Sequence, residues 1–158
     1  ATAIGQMSFV DAPVDFVGFK AFASSNQSIS SQTTTTVIFG GELYDVGGNF
    51  ASNVFTAPSA GKYLFYTNIN VASLGSTIAD LKFKHTLASD SSTLTGSNSR
   101  NGPMDTSTRD GTVNLVSTFD MAANDTMEVS IFIFSAKTLQ SNSTGGNSHT
   151  IFGGHKIG

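Results

Sequence analysis

Apolar and polar residues alternate with a period of two along most of this chain. Four long stretches show the pattern, at residues 63–71, 79–87, 113–121 and 127–135. Strict alternation over such lengths is typical of β-strands with one buried face, and not of helices. Shorter stretches with strand character lie at residues 16–23, 34–39 and 150–157.

Polar segments separate these strands and predict the connections. Residues 24–32, 89–111 and 137–148 are rich in Ser, Thr, Asn and Gly and are predicted to be loops. Many strands joined by polar turns predict an antiparallel sandwich or barrel. Residues 1–15 include Pro13 and show no such pattern, so we expect an N-terminal arm, interpreted as an anchoring segment, ahead of one domain over residues 16–158.

The stretch at residues 127–135 departs from the one-face rule. Its second face begins polar but ends with Phe132 and Phe134. Two neighbouring exposed phenylalanines would form an apolar patch of a kind that soluble monomers avoid. We therefore expect this end of the strand to be covered, either by another subunit or by a loop of the same chain.

The composition favours an assembled or exterior protein. Charged residues make up 12% of the chain, about half the usual share. Ser and Thr make up about a quarter of it, and cysteine is absent. The net charge of −3 argues against nucleic-acid binding, which needs a basic surface. No apolar run is long enough to predict membrane insertion.

The residues that could carry chemistry are few and scattered. The three histidines are not spaced as metal ligands, and His85 falls on the apolar face of its strand, so we interpret His85 and His155 as structural. No serine lies in a nucleophile motif, and no pair of carboxylates has a fixed geometry. The sequence therefore predicts a protein that is not an enzyme.

One polar segment has the residue types of a binding loop. Two arginines in it have the geometry to bind a carboxylate or an acidic sugar through paired hydrogen bonds. The candidate ligand-binding residues are Asn98, Arg100, Asp105, Arg109 and Asp110. The alternative is a solvated loop in which these charges pair locally.

A turn and the strand after it form the most specific motif in the chain. Pro58 and Gly61 predict a tight bend leading into a strand that opens with Tyr63 and Phe65. At regular spacings upstream lie Phe39, Asp45, Phe50 and Phe55. These eight positions resemble the pattern of the globular head of complement C1q, a relative of the tumour necrosis factor fold. The interval from Phe50 to Phe55 is shorter than in that pattern, which puts the local hairpin in question.

The resemblance implies an all-β fold, an antiparallel jelly-roll sandwich of about ten strands that packs as a homotrimer. In that family the first, penultimate and last strands lie near the threefold axis. Phe132, Phe134 and Phe152 are then predicted interface residues. Some relatives bind calcium, but no regular calcium loop is present here, so we expect no cofactor, with calcium as the alternative.

The resemblance and the composition together suggest three functions, none of them catalytic. The first is a virion-surface protein, such as a bacteriophage fibre head, knob or capsid decoration, with other virion proteins or a host-surface glycan or protein as partner. The second is a secreted C1q-like recognition lectin or adhesion module. The third is a structural trimerisation head of a fibre.

Overall fold

The computed structural model describes residues 16–101, 109–141 and 149–158, with the backbone alone for residues 96–101. All regular structure in these ranges is β-strand. The strands are β1 (Gly18–Phe22), β2 (Gln27–Ile29), β3 (Thr33–Thr36), β4 (Gly41–Val46), β5 (Phe50–Ala51), β6 (Val54–Thr56), β7 (Gly61–Val71), β8 (Ala79–Thr86), β9 (Thr93–Asn101), β10 (Gly111–Met121), β11 (Thr126–Ile133), β12 (Lys137–Leu139) and β13 (Ile151–Lys156). The predicted all-β class is confirmed.

The strands form two antiparallel sheets. In sheet A, β10, β7, β13, β1 and β4 lie side by side, and the short pair β2–β12 joins the far end of β7. In sheet B, β5, β6, β11, β8 and β9 follow in order, and β3 pairs with β11 beyond β6. Residues that are neighbours in sheet A, such as those of β7 and β13, are far apart in the chain, as the crossed connections of a jelly roll require.

An aromatic core fills the space between the sheets. Phe19 of β1 lies 4.6 Å from Phe50 and 5.1 Å from Phe55, measured between ring centres. Phe65 lies 5.4 Å from Phe55 in an edge-on arrangement, the geometry that ring quadrupoles favour. Burying one such ring contributes about 2 kcal/mol, so this cluster is the main source of stability.

The motif found in the sequence forms one wall of this core. Five of its aromatic residues are buried, namely Phe39, Phe50, Phe55, Tyr63 and Phe65. Asp45 accepts hydrogen bonds from the backbone N–H groups of Asn49 (3.0 Å) and Phe50 (2.9 Å), and so fixes the turn after β4.

The remaining motif residues, Pro58 and Gly61, form the bend between β6 and β7. Pro58 is exposed in the turn, and the Tyr63 hydroxyl donates to the Ser59 carbonyl at 2.7 Å. Gly61 meets the backbone of Gly158, and a Cβ at residue 61 would lie 2.4 Å from that carbonyl oxygen. Only glycine allows this approach.

Three predicted loops are corrected by the structure. Residues 24–32 contain β2, residues 89–111 contain β9, and residues 137–148 begin with β12. These strands carry few apolar residues because they lie at sheet ends or edges, and this is why the described residues hold thirteen strands where about ten were expected. The predicted arm at residues 1–15 lies outside the described residues.

Candidate interaction surface

The outward side of sheet A carries a row of side chains that crosses five strands. The register places Val116 of β10 opposite Tyr66 of β7, and Tyr66 opposite Gly153 of β13. Gly153 in turn pairs with Lys20 of β1, and Lys20 pairs with Tyr44 of β4. On β10, β7, β13 and β1 buried residues lie next to these positions, so this part of the row points away from the core; the edge strand β4 has no buried residue, and the register alone places Tyr44 in the row.

The tyrosine in the centre of this row lies flat on the sheet. A Cβ on Gly153 would come within 2.4 Å of the Tyr66 ring carbon Cζ and of its hydroxyl, so the ring covers the glycine. Burial, reinforced by the nearby Tyr44 phenol, raises the pKa of Tyr66 to about 12. The phenol is therefore held neutral, and its side chain is already half-buried in the single chain.

The two neighbouring rows are also rich in apolar groups. In one, Ile151 of β13 pairs with Phe22 of β1, whose ring covers Gly41 of β4. In the other, Leu64 of β7 pairs with His155 of β13, and the Phe16 ring stacks on the imidazole at 6.4 Å between ring centres. We call the three rows the aromatic face; its members are Phe16, Gly18, Lys20, Phe22, Gly41, Tyr44, Val46, Leu64, Tyr66, Asn68, Asn114, Val116, Thr118, Ile151, Gly153 and His155.

Several members of the aromatic face are strongly exposed to water. Val116 is 64% exposed, Phe16 47% and Tyr44 41%. Scattered exposed apolar residues are normal, but a contiguous patch of them marks an interaction surface. The strand register brings such a group together on this face.

Another exposed apolar residue, Leu94, lies at the edge of sheet B, away from the aromatic face. Leu94 of β9 pairs with His85 of β8, which points into the core. Leu94 therefore also points inward, yet it remains 49% exposed, because β9 is the last strand of its sheet. The chain thus presents an exposed leucine at the edge of sheet B in addition to the aromatic face.

The outward side of sheet B is different in character. Lys84 of β8 donates to Glu128 of β11, and Lys82 lies 3.8 Å from Asp80. The first pair joins adjacent strands and the second lies within β8, so this side of the sandwich carries locally paired charges. The two sides of the sandwich are therefore unlike, and sheet A carries the candidate interaction surface.

The predicted interface residues fall in three different environments. Phe134 follows β11 and is 55% exposed, and Phe132 is half-buried on the outward side of sheet B. Phe152 requires a correction, because its ring is fully buried in the core between Phe19 (4.9 Å) and Phe39 (5.5 Å). A side chain enclosed by its own subunit cannot line an interface.

The predicted ligand-binding residues are only partly described. Asn98 and Arg100 belong to β9, whose side chains from residue 96 on are outside the description, as is all of Asp105. The Asp110 carboxylate accepts a hydrogen bond from the Ser73 backbone N–H at 2.8 Å, and the exposed Arg109 is its chain neighbour. Asp110 thus joins the turn before β10 to the turn after β7.

His85 is a buried structural residue, as its position in the pattern predicted. Its side chain is 5% exposed, and its Nε2 lies 2.8 Å from an Asp125 carboxylate oxygen. An ionised carboxylate only accepts, so Nε2 carries the proton and donates. In the described part of the chain, no group of three His, Cys, Asp or Glu side chains is arranged to hold a metal ion.

The aromatic face was not found from the sequence. The signal was present in the second faces of two stretches, where Leu64, Tyr66 and Val116 interrupt otherwise polar positions. Only the strand register shows that these positions are neighbours, because β10, β7 and β13 come from distant parts of the chain.

No family model matches this sequence, and no curated protein matches it. Solved structures do match its fold. Eiger TNF from S. frugiperda superposes with a TM-score of 0.68 at 14% identity, over 90% of this chain and 93% of that chain. Murine APRIL gives a TM-score of 0.64 at 14% identity, over 90% and 99% of the two chains.

The globular domain of zebrafish complement 1qA gives a TM-score of 0.63 at 16% identity, over 90% of this chain and 98% of that chain. The fold is therefore a jelly roll of the C1q and tumour necrosis factor type, which confirms the resemblance found in the sequence. No helix in the described residues has the length and apolar character of a membrane span.

Proposed function

We propose that this chain is the globular head of a homotrimer that binds or assembles without catalysing a reaction. The observation that carries the proposal is the aromatic face, an apolar side of sheet A with no cover from the described residues of its own chain. The resemblance to C1q-type heads independently implies a homotrimer.

A second copy of the chain fits the aromatic face better than an unrelated partner. Each chain offers the aromatic face around Tyr66 and one exposed leucine, Leu94, at the edge of sheet B. Contacts between two different surfaces of identical chains build closed rings when the rotation is right. The edge of one copy on the face of the next would cover both Val116 and Leu94.

A trimer would present three identical sets of loops at one end. We propose that one such set contains the turns of Arg109, Asp110 and Ser73, which are joined by hydrogen bonds, and the Phe134 backbone, whose N–H donates to Ile78 in the same connection after β7. Weak contacts made three times at once give tight overall binding through effective concentration. These loops are the proposed site for a host-surface ligand, and Phe134 remains a predicted residue of the subunit interface.

The particle surface is the location that the composition supports. A cysteine-free chain with 12% charged residues suits a protein covered by its neighbours on a virion. The secreted recognition module is the alternative, since the same fold serves both. On a density gradient, co-sedimentation with virus particles is expected; recovery in the particle-free medium would favour the secreted alternative.

The oligomer is tested by light scattering on a sizing column. The wild-type chain should elute with the mass of three 16.5 kDa chains. Val116→Asp should reduce the mass to that of one chain, because a carboxylate would be buried unpaired in the interface. Ile38→Asp is the matched control, since Ile38 is 50% exposed but lies outside the aromatic face.

A wild-type monomer would refute the proposal. A Val116→Asp trimer would move the interface elsewhere, and Phe134→Asp in the same experiment tests the alternative surface at the end of β11. Circular dichroism on each variant separates dissociation from unfolding.

A further inference from the structure

We infer that protonation of His155 drives the subunits apart, so that the assembly is stable at neutral pH and dissociates in mild acid. The inference rests on the proposed homotrimer and concerns the regulation of its interface. It follows from where His155 lies and from which charges surround it.

His155 is the histidine of the aromatic face. It lies on β13 between Leu64 of β7 and Gly18 of β1, and its ring stacks on Phe16 with the planes 23° apart. The side chain is half-buried in the single chain. A neutral imidazole packs well against an aromatic ring, so a covering subunit would bury it at little cost.

The charges that face His155 are mainly positive. On β1, Lys20 lies one row away on the same face. On β7, Lys62 follows at the end of the face, and its ammonium is 3.1 Å from Asp120 of β10, which is therefore already paired. Tyr66 of β7 is held neutral by its raised pKa.

The remaining carboxylates near sheet A lie on its other side or are occupied. On β4, Glu42 and Asp45 pair with Ala21 and Phe19, whose side chains face the core. On its own strand, the Lys156 ammonium donates to the Ser59 hydroxyl at 3.0 Å. The aromatic face thus offers a protonated imidazole no free carboxylate among the described residues.

The described side chains of the proposed covering edge supply none either. The described side chains of β9 at that edge are Thr93, Leu94 and Thr95. An imidazolium buried there would lose its hydration without gaining a counter-ion from the described residues, and it would lie near Lys20. Histidine is the side chain that ordinarily changes charge between pH 5 and 8, so mild acid would impose this cost on each subunit contact.

His85 shows the opposite arrangement within the same chain. Its Nε2 already contacts the Asp125 carboxylate at 2.8 Å, so a proton added there meets a counter-ion. Acid should therefore act on the assembly through His155 before it affects the fold of a subunit.

The experiment measures the molar mass and the dissociation constant of the wild-type chain at about pH 7.5 and about pH 5.5. We expect a trimer at the higher pH and at least a roughly tenfold weaker association at the lower one. His155→Gln should remain trimeric at both values, because glutamine cannot be protonated. His149→Gln, which changes an exposed histidine just before β13, is the matched control and should behave as the wild type.

Each outcome decides the question. A wild-type monomer at both pH values refutes the proposed trimer itself. A wild-type trimer that persists unchanged at pH 5.5, or a His155→Gln trimer that dissociates as the wild type does, overturns the inference alone. If His155→Gln does not fold, Lys20→Gln decides, because loss of the nearest cation should move the dissociation to lower pH, and an unmoved transition overturns the inference.

Discussion

Asp125 is the residue on which one end of the sandwich depends. One carboxylate oxygen accepts from the Ala88 backbone N–H at 2.9 Å. The other accepts from the Ala122 backbone N–H at 3.0 Å and from His85 at 2.8 Å. The backbone carbonyl of Asp125 also accepts from the Ala57 N–H at 2.8 Å. One residue therefore joins the turns that follow β6, β8 and β10.

The ionisation of Asp125 couples this junction to pH. Burial opposes the charge, but the hydrogen bonds from Ala88, His85 and Ala122 outweigh it and hold the pKa of Asp125 below its ordinary value. A carboxyl whose folded pKa is lowered stabilises the fold at pH values above its unfolded pKa of about 4. That contribution is lost as the pH falls below about 4 towards the folded pKa.

Asp125→Asn should lower the free energy of unfolding at pH 7 by about 3 kcal/mol. The amide keeps the shape but replaces one accepting oxygen with a donor, which in either orientation faces a backbone N–H, that of Ala88 or that of Ala122. Urea unfolding at pH 7 and at about pH 3 is the measurement, and the variant should lose part of the acid sensitivity of the wild type.

Asp90→Asn is the control for this prediction. The pKa of Asp90 is also lowered, chiefly by hydrogen bonds from Ser92, but the side chain lies in an exposed turn. Its substitution should leave the unfolding midpoint nearly unchanged. Equal losses for the two variants would show that turn geometry, and not the buried network, sets the effect.

The hairpin between β5 and β6 shows how two residues define an element. Ser52 and Asn53 both have positive φ, 51° and 70°, as a type I′ turn requires. Asn53 tolerates this conformation better than most residues, and its side-chain oxygen accepts from the Phe39 backbone N–H at 2.7 Å. The interval shortened relative to the C1q pattern is therefore a complete tight hairpin, closed onto the segment after β3.

Substitutions at Asn53 separate these two roles. Asn53→Gly keeps the positive φ without strain but loses the hydrogen bond to Phe39. Asn53→Ala loses the hydrogen bond and also places a Cβ in the unfavourable left-handed conformation. It should therefore lower the free energy of unfolding by about 1 kcal/mol more than Asn53→Gly does. Thermal or urea unfolding of both variants is the test, and equal stabilities would mean that the turn is not under conformational strain.

The elements that sequence reasoning found and missed differ in one physical respect. β7, β8, β10 and β11 each have one face on the core, so their apolar residues alternate and the pattern predicts them. β9 lies at the edge of sheet B, and its polar composition hides it. β2 and β12 have three residues each, too few for any period to be seen.

At the scale of the whole molecule, the sequence predicted the fold better than the surface. The spaced aromatics from Phe39 to Phe65 all lie in the core, so the resemblance that they carried was sound. Phe152 was assigned to the interface because an aromatic residue in a terminal strand does not reveal which side of the sheet it faces. The aromatic face depends on the order of strands in sheet A, which no local pattern encodes.

The two sides of the sandwich also differ in where the charged residues, 12% of the chain, are placed. Sheet B faces outward with paired charges such as Lys84 and Glu128, whereas sheet A faces outward with Tyr66 and Val116. In the proposed trimer the outward side of sheet A is buried between subunits, and the outward side of sheet B faces the solvent. The low charge content is then a property of an assembled particle, and the isolated chain would be the unusual state.

The position of β13 sets the order of events when the protein is made. This strand lies between β7 and β1 and supplies Phe152 to the core, yet it follows all the other described strands in the chain. Until Lys156 has left the ribosome, β1 and β7 each expose an unpaired edge and the core lacks a central ring. A ribosome that stalls before residue 151 would therefore release a chain with an open sheet, prone to join other unfinished chains and dependent on chaperones.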